Sequence, residues 1–282
     1  MGVEMEQLLD DTHEIGSFPA IVNRINIAIA DPRSSLDAIA AIINEDPGLS
    51  ARLMKIANSS FYGFPFPVDT ITRAMTVVGT RQLKDLVLAT YAIDLFAKVP
   101  ENLVDVRSFW YHSIACGVMS RVIATAIRDS NLERYYLCGL LHDIGHIILF
   151  VRLPEQATTF LKADRAGSLL IHHAEEQALG FNHADLGGRL MERWLLPADI
   201  HVPIRNHHAP HRSTDHLLET AVLHVAEIMA NCLLGGGGLE SRLAQVDADA
   251  WKRINLPESA VPSLMDIGRG QLSDAIKLFF EE

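Results

Sequence analysis

The sequence is poor in the features that would mark several large protein classes. It has only three cysteines, Cys116, Cys138 and Cys232, far apart and without paired spacing. That argues against a disulfide framework or a four-cysteine zinc site, and reduced thiols point to the cytoplasm. No apolar run reaches the roughly 18–20 residues needed to span a membrane. The opening "MGVEMEQLLDDTHEIG" is acidic and lacks the basic-then-apolar pattern of a secretory signal. Glu6 stands where a myristoylation signal would carry Ser or Thr. Excess positive charge is also missing: the net charge is −11, with both signs scattered along the chain. The overall field repels polyanions, so nucleic acid is not an expected partner.

What remains is the composition of an ordered globular chain. Of 282 residues, 49% are hydrophobic and 21% charged, enough for a sizeable core. Helical periodicity dominates. "FPAIVNRINIAIADP" aligns Ile21, Ile25, Ala28 and Ile29, and Asp31-Pro32 stops it. "SSLDAIAAIINEDP" opens on a Ser cap and carries Leu36, Ile39, Ala40 and Ile43 at helical spacing. "GLSARLMKIANSS" aligns Leu49, Leu53 and Ile56, whereas "FYGFPFPVDT" is too rich in Gly and Pro for a regular element. Helices resume at "TITRAMTVVG" and "TRQLKDLVLATYAIDLFAKV".

A polar break around Pro100 precedes a second helical series, and Gly235 to Gly238 separate off a helical tail. Neither an alternating strand pattern nor an internal repeat is evident. The expected fold is all-α, with an N-terminal lobe over residues 1–103, a helical core over 104–234 and a linker with tail over 235–282.

Histidine is the abundant functional residue. Nine of the thirteen lie between positions 172 and 224, and two more sit in "LCGLLHDIGHIILF", Leu137 to Phe150. Burying His142, Asp143 and His146 in that apolar run is costly without partners. Imidazole and carboxylate together suit borderline divalent ions. Read as H-x-x-x-H, the stretch mimics the zinc-peptidase motif, but its acid is a short Asp and Gly145 weakens the helix. The other pattern makes His142 and Asp143 themselves ligands. Adjacent helical residues diverge by roughly 100°, so an ion must lie at the edge between their faces, with other helices supplying more ligands.

That second pattern is the arrangement of the HD metal phosphohydrolases, and the chain resembles an HDOD domain, the HD-related output domain of bacterial signalling proteins. In the first lobe the resemblance rests on "INEDPGLSARLMKIANSSFYG" and "ITRAMTVVGTRQLKDLVL". In the second it rests on "FWYHSIACGV", "CGLLHDIGHIIL", "LGFNHADLGGRLMERWLLPADI" and "RNHH". The family is similar to the HD-GYP phosphodiesterases that cleave cyclic di-GMP, although most HDOD proteins have lost catalytic residues and act as regulatory or scaffolding outputs. The resemblance implies metal ligands at His112, His142, Asp143, His183, His207, His208 and Glu227. It assigns His112, His142, Asp143 and Glu227 to a first ion, and His183, His207 and His208 to a second or to tuning the first.

The implied cofactor is one or two divalent transition-metal ions (Fe, Mn, Zn or Ni). Asp143 would be the catalytic residue if the centre turns over. Asp185 or Glu176 could orient ligating imidazoles, and Cys138 lies one turn before His142. Three departures stand out: the GYP triplet is absent, His146 replaces a Lys that would hold phosphate, and Glu227 replaces Asp. The expected function is a cytoplasmic regulatory module acting through signalling proteins, with a nucleotide ligand as an option. The alternative is a metal-dependent phosphohydrolase or phosphodiesterase. No receiver, cyclase or kinase segment accompanies the domain, so input and output are expected from separate proteins.

For Glu176, as for His172, His173, His211 and His216, the expected role is a solvated helix face. For Asn58 to Ser60 and Arg73 it is helix capping and loop anchoring. For Phe61, Tyr62, Phe64 and Phe66 it is filling the groove between lobes.

Overall fold

Capping chemistry sets the first helices where the sequence places them. A computed structural model describes residues 4–10, 20–59, 66–96, 105–165, 170–235 and 239–280. After a short α1 (Met5–Asp10) and α2 (Ala20–Ala30), the Ser35 hydroxyl accepts from the Ala38 N–H and starts α3 (Leu36–Asn44). Asp46 caps α4 (Pro47–Ala57), and Thr70 caps α5 (Ile71–Val78), which leads into α6 (Thr80–Phe96). Each cap satisfies a backbone donor that the first turn leaves unpaired.

Helices α2 to α6 pack on one another and bury Val22, Ile25, Ile39, Ile43, Leu49, Leu53 and Met75. Asn58 closes α4, and its side chain grips the next segment. Its Nδ2 donates to the Val68 carbonyl and its Oδ1 accepts from the Val68 N–H, each at 2.7 Å. Arg73 makes only a loose contact to Asp69, at 3.8 Å. Phe66 does not fill a groove: it is 70% exposed, because its short segment runs over the surface. Ser60, Phe61, Tyr62, Phe64 and Gly236 to Gly238 lie outside the described residues.

The second lobe is built on α7 (Val106–Ala126), α8 (Leu132–Leu141), α9 (Ile144–Arg152), α10 (Pro154–Arg165), α11 (Ile171–Leu179), α12 (His183–Arg193), α13 (Ala198–Asn206) and α14 (Leu217–Leu233). Then follow α15 (Leu239–Leu243), α16 (Ala248–Ile254) and α17 (Val261–Phe280). Central α7 lies against α8, α14 and α17, while α12 packs on α9 and α13. The tail is thus part of this lobe, with α16 on α14 and α17 on α7. The first helix also rests here: α1 touches α9, and Glu6 pairs with Arg189 and Arg193 of α12. The two lobes meet where α6 packs on α8. The fold is all-α, two helical lobes, with no strand among the described residues.

Candidate metal centre

The opening motif folds as two helices rather than one. Helix α8 ends at Leu141 and α9 begins at Ile144, so His142 and Asp143 occupy the corner between them. That break removes the constraint of a continuous helix, and both side chains turn to the same side. Glycines bring the neighbours close enough to meet there. A Cβ on Gly139 would lie 2.6 Å from the Cys116 carbonyl group, so only glycine lets α8 cross α7, which carries His112. A Cβ on Gly145 would lie 2.0 Å from the His183 carbonyl oxygen, so the same holds where α9 meets the start of α12.

The structure brings together all seven ligand positions implied by the resemblance, from α7, the α8–α9 corner, α12, the end of α13 and α14. Asp143 is the centre. Its Oδ2 lies 3.3 Å from His142 Nε2 and 3.6 Å from His112 Nε2. Its Oδ1 lies 3.2 Å from His183 Nε2 and 4.0 Å from His207 Nε2. The Nε2 atoms of His183 and His208 are 2.8 Å apart, and those of His112 and His142 are 3.2 Å apart. Glu227 sits between the groups: its Oε2 is 3.5 Å from His208 Nδ1 and 3.9 Å from His207 Nε2, and it also forms a close set with His142 and His207.

Hydrogen bonds on the far sides of the rings decide which nitrogens face inward. His142 Nδ1 donates to the Gly139 carbonyl and His207 Nδ1 to the Ile204 carbonyl, both at 2.7 Å. His183 Nδ1 donates to Glu175 Oε2 at 2.6 Å, and the same oxygen accepts the His183 backbone N–H at 2.9 Å. A carbonyl can only accept, so in His142 and His207 the inner Nε2 is the free position, and Glu175 turns the His183 Nε2 inward in the same way. His224 extends this support, donating to the His207 carbonyl at 2.7 Å and accepting the Asp247 N–H at 3.0 Å.

Electrostatics keep most of these imidazoles neutral. Burial lowers His142 to about 4 and takes His207 and His208 well below the ordinary imidazole value. For His183 burial acts in the same direction, but the charges of Glu175 and Asp143 outweigh it and raise the ring to about 10. Burial also opposes charge on Asp143, yet His142, His183 and His146 hold its carboxyl well below the usual range. Glu227 is pushed up to about 8 by burial, with the Asp143 charge adding to it.

This donor set fits a divalent ion. His207 is fully buried and its Nε2 has no hydrogen-bond partner. An orphaned buried nitrogen costs free energy unless something accepts its lone pair. His142 Nε2, freed because Nδ1 is held by the Gly139 carbonyl, faces His112 Nε2 at 3.2 Å. Neutral His142, His207 and His208 around the Asp143 carboxylate are ligands that a transition metal takes without expelling protons, whereas His183 and Glu227 would each release one.

Some residues singled out in the sequence lie elsewhere. Asp185 completes a capping box, its Oδ2 accepting from the Asn182 N–H at 3.1 Å. Glu176 reaches Arg212 at 3.3 Å, in a surface ion pair. The carboxylate that orients an imidazole is Glu175, which sequence reasoning missed. In "HHAEEQALG" only the helical phase of α11 distinguishes it from Glu176. Cys138 directs its Sγ to the Asp199 carbonyl, 3.6 Å away, rather than to the cluster. His173 and His211 are exposed and His216 half-buried, but His172 stacks on His208 with ring centroids 4.0 Å apart.

Comparison with known proteins agrees with this architecture. A protein of Treponema pallidum (strain Nichols), itself uncharacterized, is 28% identical over 207 residues, which is 72% of this chain. The chain spans 40% of the length of that relative. A structure from Shewanella amazonensis SB2B, provisionally named a phosphohydrolase, superposes with a TM-score of 0.79 at 22% identity, covering 99% of this chain and 98% of the other. An HDOD domain protein of unknown function from Geobacter sulfurreducens gives 0.75 at 23% identity, over 99% and 100%. A provisionally named signal transduction protein from Marinobacter aquaeolei VT8 gives 0.72 at 20%, over 96% and 61%. At these identities the structures establish the shared helical fold. The HDOD domain model matches residues 15–210, well over half of the sequence, and the chain belongs to the HDOD domain family.

Proposed function

We propose that this chain is a regulatory signal-transduction module whose second lobe holds one or two divalent transition-metal ions, and that it acts mainly by binding partner proteins. The observation that carries the metal centre is the orphaned Nε2 of buried His207, facing the Asp143 carboxylate among other inward nitrogens. His112, His142 and Asp143 Oδ2 would hold one ion. His183, His207, His208 and Asp143 Oδ1 would hold the other, with Glu227 available between them. A bound ion would supply Lewis-acid charge toward a phosphoryl oxygen.

Access favours binding over turnover. The side chains that reach the surface do so only slightly, 19% for His112 and 12% for Asp143, while His142 and His207 are fully covered. Asp143 and Glu175 pair with imidazoles rather than with a Lys or Arg that could grip a phosphate. His146 stands where the phosphodiesterase pattern has Lys. The second reading, a metal-dependent phosphohydrolase or phosphodiesterase acting on a cyclic dinucleotide, keeps its support in the ligand set itself.

Elemental analysis after purification without chelator, followed by assay of the loaded protein against cyclic dinucleotides and phosphomonoesters, separates these readings. Bound transition metal without turnover is the expected result. Manganese- or iron-dependent turnover that disappears in His142→Ala would replace the module with the enzyme. A protein that takes up no metal at all would overturn the centre.

A further inference from the structure

His146 is the point at which the chain departs from the phosphodiesterase pattern, and the structure buries it in the cluster rather than at the surface. It is 7% exposed. Its Nδ1 lies 3.1 Å from Glu175 Oε1 and its Nε2 3.9 Å from Asp143 Oδ1. His183 repeats the arrangement, with Nδ1 2.6 Å from Glu175 Oε2 and Nε2 3.2 Å from Asp143 Oδ1. The two rings are therefore stacked in register, centroids 3.7 Å apart and planes 23° from parallel. Phe150 backs His146 with a ring at 5.7 Å and 18°.

A core histidine paired with Glu175 would explain the outer nitrogen: Nδ1 lies 3.1 Å from Oε1, in an ion pair not aligned as a hydrogen bond. That pairing alone is a poor reason for the inner nitrogen, which faces Asp143 beside that of His183. The stacking suggests a better one. Near-parallel rings hold their lone pairs near-parallel, and such lone pairs cannot converge on one ion with bonds of about 2.0–2.1 Å. They point at two adjacent positions, separated by roughly the ring spacing. Paired ions in two-metal sites lie about 3.5–4 Å apart, and Asp143 Oδ1 faces both rings.

We propose that His146 is an additional metal ligand, serving the position beside the one served by His183, and that Glu175 is the positioning residue that holds both rings. This rests on the metal-centre reading above. It gives the residue that replaced a phosphate-holding Lys a role in admitting one ion more than the centre holds without it.

The test is manganese stoichiometry of the full chain by equilibrium dialysis, with low-temperature EPR as a second readout. The wild type is expected to bind one ion more than His146→Ala and His146→Gln, and loss of that ion is expected to narrow the broadened signal of the coupled ions. Glu175→Gln is expected to weaken uptake by about 10–100-fold, and Glu175→Asp to restore part of it. Circular dichroism and a cooperative melt confirm that each variant is folded. The same number of ions in both folded His146 variants as in the wild type would overturn this inference and leave the metal centre standing. A wild type that binds a single ion would do the same, whereas one that binds none would overturn both.

Discussion

The two lobes differ in what they bury beside their apolar cores. Among the described residues, the buried polar groups of the first lobe are Asp85 and Thr90, both on α6; the remainder of its core is aliphatic. The second lobe buries His142, Asp143, His146, Glu175, His183, His207 and His224, along with Glu133 and Asn182. The first lobe is held by packing and caps, so its stability tracks volume and hydrogen bonds. The second sets charge and unpaired nitrogen into a low-dielectric interior, which is favourable only if each group has a partner. Its stability is therefore linked to what occupies the cluster.

Substitutions that act on one lobe at a time should expose this difference, and the largest effect is expected at its centre. Asp143→Ala should abolish metal retention by elemental analysis and remove any Tm increase that added manganese gives the wild type. Metal retention equal to the wild type would mean that the lobes differ in composition but not in function.

Next comes Asp85, the buried carboxylate of the first lobe, where α6 meets α8. Burial raises it to about 7, with partial relief from Lys84 and Arg134. A carboxyl whose folded pKa lies above its unfolded value destabilises progressively as pH rises between the two, here from about 4 to 7, and by a constant amount above that. Asp85→Asn should thus gain on the order of 2–4 kcal/mol at pH 8 and little at pH 4, read from urea midpoints. A gain that does not vary with pH would place the cause in packing instead.

Gly145→Ala should cost about 3 kcal/mol, since the new methyl would strike the His183 backbone. It should weaken metal uptake as well, because the same contact sets the approach of α9 to α12. In the first lobe, Asn58→Ala should cost about 1–2 kcal/mol through the two bonds to Val68. It should leave metal uptake unchanged, and a matching loss of metal would show that the lobes are coupled through α6.

How much of this was legible in the sequence depends on range. The Ser35 and Thr70 caps, the stop after Ala30 and the close of α4 at Asn58 follow from chemistry within a few residues of each position. That these seven side chains meet in one cluster was legible too, because family resemblance carries the record of which distant residues come together; their role as ligands is a proposal. Glu175 was not. It and Glu176 are equivalent as residue types, and only the face of α11 turned toward α12 separates them. Nor was the corner at His142 and Asp143, since "LLHDIGHIIL" has the periodicity of one helix and the break is imposed by neighbours crossing at Gly139 and Gly145. The fate of α1 was equally hidden: its pairing with Arg189 and Arg193 lies more than 180 residues away.

By itself, the sequence determined the helices, their caps and the inventory of imidazoles and carboxylates able to bind a metal, because propensity, periodicity and residue chemistry are local. Only the tertiary structure decided that a single aspartate stands between two groups of nitrogens, that Glu175 rather than Glu176 steadies a ring, and that His146 stacks in register with His183. Those outcomes depend on distances between helices, and these are fixed by how glycine crossings and buried surfaces fit together in space.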